Sequence, residues 1–257
     1  MIEQEEYRDM KSYEPKQANC RYKFLSRDAS SLYRMYQKTQ GVDVTRRPEG
    51  NLHSWLNPNS TNFKEHMSEA IFFYSARRHK EDRLKICIST PEMDEAAWKF
   101  SHNNQLILDG TFGVCSSRLL LFIAMGIDDT GKGLPLAFFL FSAPTGNRAT
   151  HAGYNQAILQ ELLTQWRHHL SKTHLPTIFA PLVAITDTDT KERGALLNVW
   201  PDIWLLLCKF HVRQCWTNRR KTLKLAGRSG NTEFWKQHVH SRLQNLEVRY
   251  ELNPFDA

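Results

Sequence analysis

Between residues 105 and 142 three apolar runs follow one another, and the stretches joining them are too short to hold a helix. Residues 106–108 lead into Asp109-Gly110-Thr111-Phe112, which reads as turn chemistry closing the first run. Residues 118–127 form the second run, closed by Asp128-Asp129-Thr130-Gly131-Lys132-Gly133, a hairpin-type turn. Residues 134–141 form the third, ended by Ser142-Ala143-Pro144. Adjacent strands with such short links run antiparallel, because a parallel pair needs a crossover of a dozen residues or more. The spacing therefore predicts an antiparallel meander.

Downstream the period changes. Ile158, Leu159, Leu162, Leu163, Trp166 and Leu170 recur at helical spacing within residues 150–172. Residues 178–186 predict a fourth strand with Asp187 at its carboxyl end. Asp189-x-x-Glu192 then reads as the capping box of a short helix that Pro201 ends. Residues 203–207 predict a fifth strand, and another helix begins near Cys208. Strand, strand, strand, helix, strand, helix, strand, helix gives an α/β fold with a mixed five-stranded sheet.

The first ninety residues are polar and mixed in charge, with turns at Arg47-Pro48-Glu49-Gly50 and Asn57-Pro58-Asn59. Helical periodicity over residues 28–40 and 63–79 predicts a helical N-terminal region, 1–94, ahead of a core at 95–225. Residues 226–257 then read as the start of a helical insertion or a tail. The longest apolar run, residues 119–127, is nine residues, about half of what a membrane helix needs. The first thirty residues are charged throughout, so no secretory signal is expected there. Five scattered cysteines without a C-x-x-C pair argue against a zinc ribbon and for a reducing compartment. A net charge of +7 favours polyanionic partners.

In sheets of this kind, polar groups at the carboxyl ends of central strands border the ligand crevice. Asp109 and Asp187 occupy such positions. If their strands are neighbours the two carboxylates converge, and two close anions are costly unless a cation joins them. Hard oxygen ligands suit Mg²⁺ or Mn²⁺, and two such ions about 3.5–4 Å apart serve phosphoryl transfer. Taken singly, each Asp also reads as a turn cap, and for Asp189 the cap is the preferred reading.

On the helix that follows, Cys208, His211 and Cys215 fall within roughly a 60° arc. They form either a zinc half-site completed by His238 or His240, or a packed face under the sheet; packing is the preferred reading, and zinc is not expected. Lys209, Arg213, Arg220 and Lys224 share another arc, and residues 209–228, which also hold Arg219 and Lys221, contain seven Lys or Arg and no acid. This ridge reads as a contact for a phosphate backbone, the other reading being a solvated face. Trp216 reads as core before it reads as a base-stacking platform. His168-His169 reads as surface. Ile107 stands where a haloacid dehalogenase-type phosphatase has its nucleophilic Asp. Gly131-Lys132-Gly133 is too short for a phosphate loop, and Ser116 and Ser117 lack a nucleophile motif.

The run Leu108-Asp109-Gly110-Thr111-Phe112-Gly113-Val114 resembles the first catalytic segment of Mutator-like (MULE) transposases. Ala184-Ile185-Thr186-Asp187-Thr188-Asp189, then Ala195-Leu196-Leu197 and Trp200-Pro201, resemble the second, and Cys208-Lys209-Phe210-His211 resembles that family's Cys-x-x-His element. The resemblance covers roughly residues 95–225. It implies an RNase H-like fold with a DDE-type triad in which Asp109 is the first acid and Asp187 the second. The third, a Glu, follows a long helical insertion in the family. Here the chain runs 70 residues beyond Asp187, and Glu233, Glu247 and Glu251 sit in no recognisable motif, so a core truncated before the third acid, or a degenerate one, is expected.

The implied activity is DNA binding with metal-dependent phosphodiester cleavage and strand transfer in DNA transposition. Its partners would be transposon ends and target DNA, with a homo-oligomer possible and the nucleus as the expected compartment. Two further readings stand beside it: a non-catalytic, domesticated DNA-binding or scaffold protein, and an RNase H-like nuclease acting on RNA or a hybrid.

Overall fold

A computed structural model describes residues 26–46, 48–77, 79, 82–112, 119–143, 154–222, 237, 238 and 241. The N-terminal elements are α1 (Ser26–Thr39), α2 (Pro48–Leu56), α3 (Glu65–Ala70), β1 (Ile71–Ser75), β2 (Lys85–Ile88) and α4 (Pro91–Phe100). The three apolar runs become β3 (Gln105–Phe112), β4 (Leu119–Ile127) and β5 (Gly133–Ser142). After them come α5 (Gln156–Ser171), β6 (Val183–Thr186), α6 (Thr190–Val199), β7 (Trp204–Leu207) and α7 (Lys209–Thr222).

From β3 onward the order of elements is the one the sequence predicts, and the fold is mixed α/β. The strands are hydrogen-bonded in the order β1-β2-β5-β4-β3-β6-β7. β3, β4 and β5 are linked by six and then five residues, so these neighbours run antiparallel. β3–β6 and β6–β7 are parallel.

Three expectations are corrected. The sheet has seven strands among the described residues rather than five, because β1 and β2 lie in the region expected to be helical. The helix expected over 63–79 is only α3. It gives way to β1 at Ile71-Phe72-Phe73-Tyr74, where β-branched and aromatic side chains fit a pleated surface and β2 supplies a strand partner, with Tyr74 opposite Ile86. The fourth strand is shorter than residues 178–186. Phe179 packs instead among aromatic rings, 5.2 Å from Trp166 and 6.3 Å from Trp200.

The chain divides into two units. In the described part of the first, Met1–Pro91 with Phe112–Leu121 and Phe138–Gly153, β2 pairs antiparallel with β5 so that Lys85 faces Phe141. Asn51 there bridges the backbone of Asp43 in both directions, donating to its carbonyl and accepting from its N–H. The second unit comprises Glu92–Thr111, Phe122–Ala137 and Tyr154–Ala257. Its core contains Leu106, Leu108, Phe122, Ala124, Leu136 and the apolar face of α5, with Ile158, Leu159, Leu162, Leu163, Trp166 and Leu170 all buried as their spacing predicts. The β4–β5 turn has the expected chemistry. Gly131 takes φ +79°, and the Asp128 carboxylate accepts from the backbone N–H of Thr130 and Lys132, which holds its pKa below the ordinary value.

Candidate active site

The register of β3 on β6 decides where the two aspartates stand. Gln105 pairs with Val183, Leu106 with Ala184 and Ile107 with Ile185. Two residues farther along each strand are Asp109 and Asp187, which by the alternation of a strand share the face of Ile107 and Ile185. Asp187 directly follows β6. Asp109 does not end its strand: β3 continues through Gly110, Thr111 and Phe112, so the expected turn there is corrected to strand. Asp187 Oδ1 also accepts locally, from the backbone N–H of Thr188 and, at 3.2 Å, from the Thr188 hydroxyl.

The start of α7 lies against the same strand ends. The Cys208 backbone N–H donates to the Thr186 carbonyl at 2.8 Å. One turn on, His211 Nε2 stands 3.7 Å from Asp109 Oδ1, and a further turn brings Cys215 Sγ to 4.0 Å from the Thr188 hydroxyl. Of the Cys-x-x-His element, His211 thus meets Asp109 through its side chain, whereas Cys208 is tied to the end of β6 through its backbone. His211 Nδ1 is buried and has no hydrogen-bond partner among the described residues.

A residue that the sequence marks only as half of a capping box belongs to this site. Asp189 caps α6 as expected, its carboxylate accepting from the Lys191 N–H at 2.7 Å. Glu192 does not return to the cap. It turns inward, 3% exposed, and its carboxylate accepts a hydrogen bond from the buried hydroxyl of Thr186, the residue before Asp187. Burial pushes the Glu192 pKa up to about 7; the Thr186 bond works against that rise, and the charges of Asp189, Asp187 and Asp109 add to it. Gly110 explains how the carboxyl fits. A Cβ there would come within 2.7 Å of Phe122 Cε1 and 3.2 Å of Glu192 Oε1, so only glycine lets β3 pass this close. Tyr154 feels the same environment, its pKa raised by burial and by the charges of Glu192, Asp189 and Asp187.

Three aspartates thus act on the one Glu192 carboxyl, and such a gathering of acids is the electrostatic setting that a cation relieves. Among the described residues no three His, Cys, Asp or Glu side chains gather into a cage for a metal ion. Two carboxylate donors fit Mg²⁺ or Mn²⁺ in the way such ions are commonly held, by one or two carboxylates with the remaining positions filled by water and substrate phosphate.

Of the basic ridge, Lys209 and Arg213 are exposed on α7. Arg219, Arg220 and Lys221 belong to the same helix, but their side chains, like Lys224 as a whole, lie outside the described residues. Glu233, Glu247, Glu251, His240, Ser116 and Ser117 lie outside them too, whereas His238 is exposed. Trp216 is corrected: it is 37% exposed rather than core, and Phe210 on the same helix is 64% exposed. His169 is also corrected, since its Nε2 meets Asp94 Oδ2 at 2.7 Å in a half-buried pair, while His168 is exposed. No described helix is long and apolar enough to cross a membrane.

Residues 105–215, which contain Asp109, Gly110, Asp187, Glu192, Cys208 and His211, match the family model of the MULE transposase domain. A comparison with curated proteins finds no match.

Proposed function

We propose that this chain, whose residues 105–215 match the family model of the MULE transposase domain, processes DNA by metal-dependent phosphodiester cleavage and strand transfer, with Asp109 and Asp187 as the metal-binding acids. The observation that carries the reading is the parallel register of β3 and β6, which puts the two acids on one face of adjacent strands inside the matched segment. A divalent ion bound there supplies activation of water or a 3′-hydroxyl and stabilises the leaving oxygen. The chain's own part is to hold two carboxylates on a rigid sheet and to lay a phosphate backbone beside them. Lys209 and Arg213 lie on the helix that starts at these strand ends, where they favour a polyanion and align it. DNA is therefore the proposed partner and the nucleus the proposed compartment.

The test is nicking of a duplex carrying a terminal sequence, with Mn²⁺ added, by wild type, Asp109→Asn and Asp187→Asn. Both variants are expected to melt at the wild-type temperature or above, because one of two mutually repelling charges is removed, and to lose nicking. Cleavage by Asp109→Asn at the wild-type rate would overturn the assignment. Uptake of Mn²⁺ by wild type separates this reading from that of a DNA-binding module without catalysis, which has no need to hold the ion.

A further inference from the structure

We infer that Glu192 is a positioning residue of the two-aspartate site: by accepting the Thr186 hydroxyl and standing over Gly110, it fixes the end of β6 against β3 and with it the spacing of Asp109 and Asp187. The inference rests on the metal-binding role proposed above for those two acids.

The contacts leave the carboxyl group little other purpose. The cap of α6 is already supplied by Asp189, so Glu192 is not needed there. Its side chain is buried to 3% exposure, where an apolar residue of similar volume would ordinarily be as stable or more so. What an apolar residue lacks is an acceptor for the Thr186 hydroxyl, which is itself fully buried and needs one. Thr186 is the last residue of β6 and adjoins Asp187; its backbone carbonyl also takes the N–H of Cys208. The other carboxylate oxygen lies where a Cβ of residue 110 would come within 3.2 Å, next to Asp109 on β3. One carboxylate therefore bonds to the neighbour of Asp187 on β6 and occupies the space over the neighbour of Asp109 on β3 that a side chain there would need. Because protein interiors are close-packed, a shift of this group moves both strands where they carry the two acids.

The experiment is calorimetric titration of Mn²⁺ into the full chain at pH 8, with circular dichroism recorded on each protein. Thr186→Val and Glu192→Ala each remove one end of the same bond. Each is expected to weaken Mn²⁺ binding about tenfold or more, and the double variant to be no weaker than the worse single, whereas Glu192→Gln, which keeps an acceptor oxygen, stays within about threefold of wild type. A purely structural glutamate would lower the melting temperature in these variants and leave their Mn²⁺ affinity equal to wild type, which overturns the inference. So does a Glu192→Gln protein as weak as Glu192→Ala. If Glu192→Ala does not fold, the nearly isosteric Thr186→Val and Glu192→Gln proteins decide the matter. Failure of wild type itself to take up Mn²⁺ strikes the two-aspartate reading, and this inference with it; uptake by wild type with unaffected variants removes only the role of Glu192.

Discussion

A carboxyl group whose folded pKa is about 7 against an ordinary value near 4.5 makes stability depend on pH at one residue. The folded state favours the protonated form, so the contribution of Glu192 is complete below its ordinary pKa and is lost as pH rises through about 7. The loss amounts to roughly 3 kcal/mol at most. Urea unfolding at pH 5 and pH 8 is therefore expected to show the wild type weaker at the higher pH, and Glu192→Gln to remove most of that difference. An unchanged difference in the variant would place its origin elsewhere. Gly110 makes a complementary prediction. Gly110→Ala forces a Cβ into the Phe122 ring and against the Glu192 carboxyl, and overpacking of this kind costs about 1–3 kcal/mol in a denaturant titration. Neither residue is legible from the sequence. The spacing of Asp189 and Glu192 is that of a capping box, and Asp109-Gly110 is that of a turn, because local chemistry is all that spacing encodes. What sends Glu192 inward is Thr186 on a strand that meets α6 only after folding.

At the scale of elements, most of the second unit is legible. Alternating burial along β4 and the helical spacing in α5 each bury the side chains that their periods select. Legibility fails where a partner decides the state. Ile71–Ser75 follows α3 without a turn residue, so its helical pattern runs on in the sequence although β2 takes it as a strand. Residues 178–182 look strand-like, but only from Val183 does β3 offer a register partner, and Phe179 N–H is already bonded to the Ser171 hydroxyl at 3.0 Å. Asp189 tests the element that carries Glu192. Its cap satisfies an N–H that α6 leaves unpaired, so Asp189→Ala is expected to lower stability by about 1 kcal/mol. The same substitution removes a negative charge acting on Glu192 and should lower the pH at which stability falls. A lower melting temperature with an unmoved pH midpoint would detach Asp189 from the carboxyl group.

For the whole molecule, a net charge of +7 gives long-range attraction to any polyanion but does not say where it binds. In the proposed reading α7 gives that attraction a location, since the helix starts at the carboxyl ends of β6 and β7 and brings His211 to Asp109. Phosphate contacts are read out by salt, because each one releases condensed counterions on binding. For a DNA duplex in an anisotropy titration, Lys209→Ala and Arg213→Ala should each flatten the dependence of log affinity on log salt by about 0.9, and together by about twice that. Asp109→Asn should leave this slope unchanged while removing a charge that repels phosphate, so its affinity is expected to equal or exceed that of wild type. Equal slopes in wild type and the double α7 variant would mean that DNA is held by other cations. The proposed metal-binding role of the two aspartates would then stand without the ridge that brings a substrate to them, and the proposed geometry of cleavage would have to place the duplex along a different face.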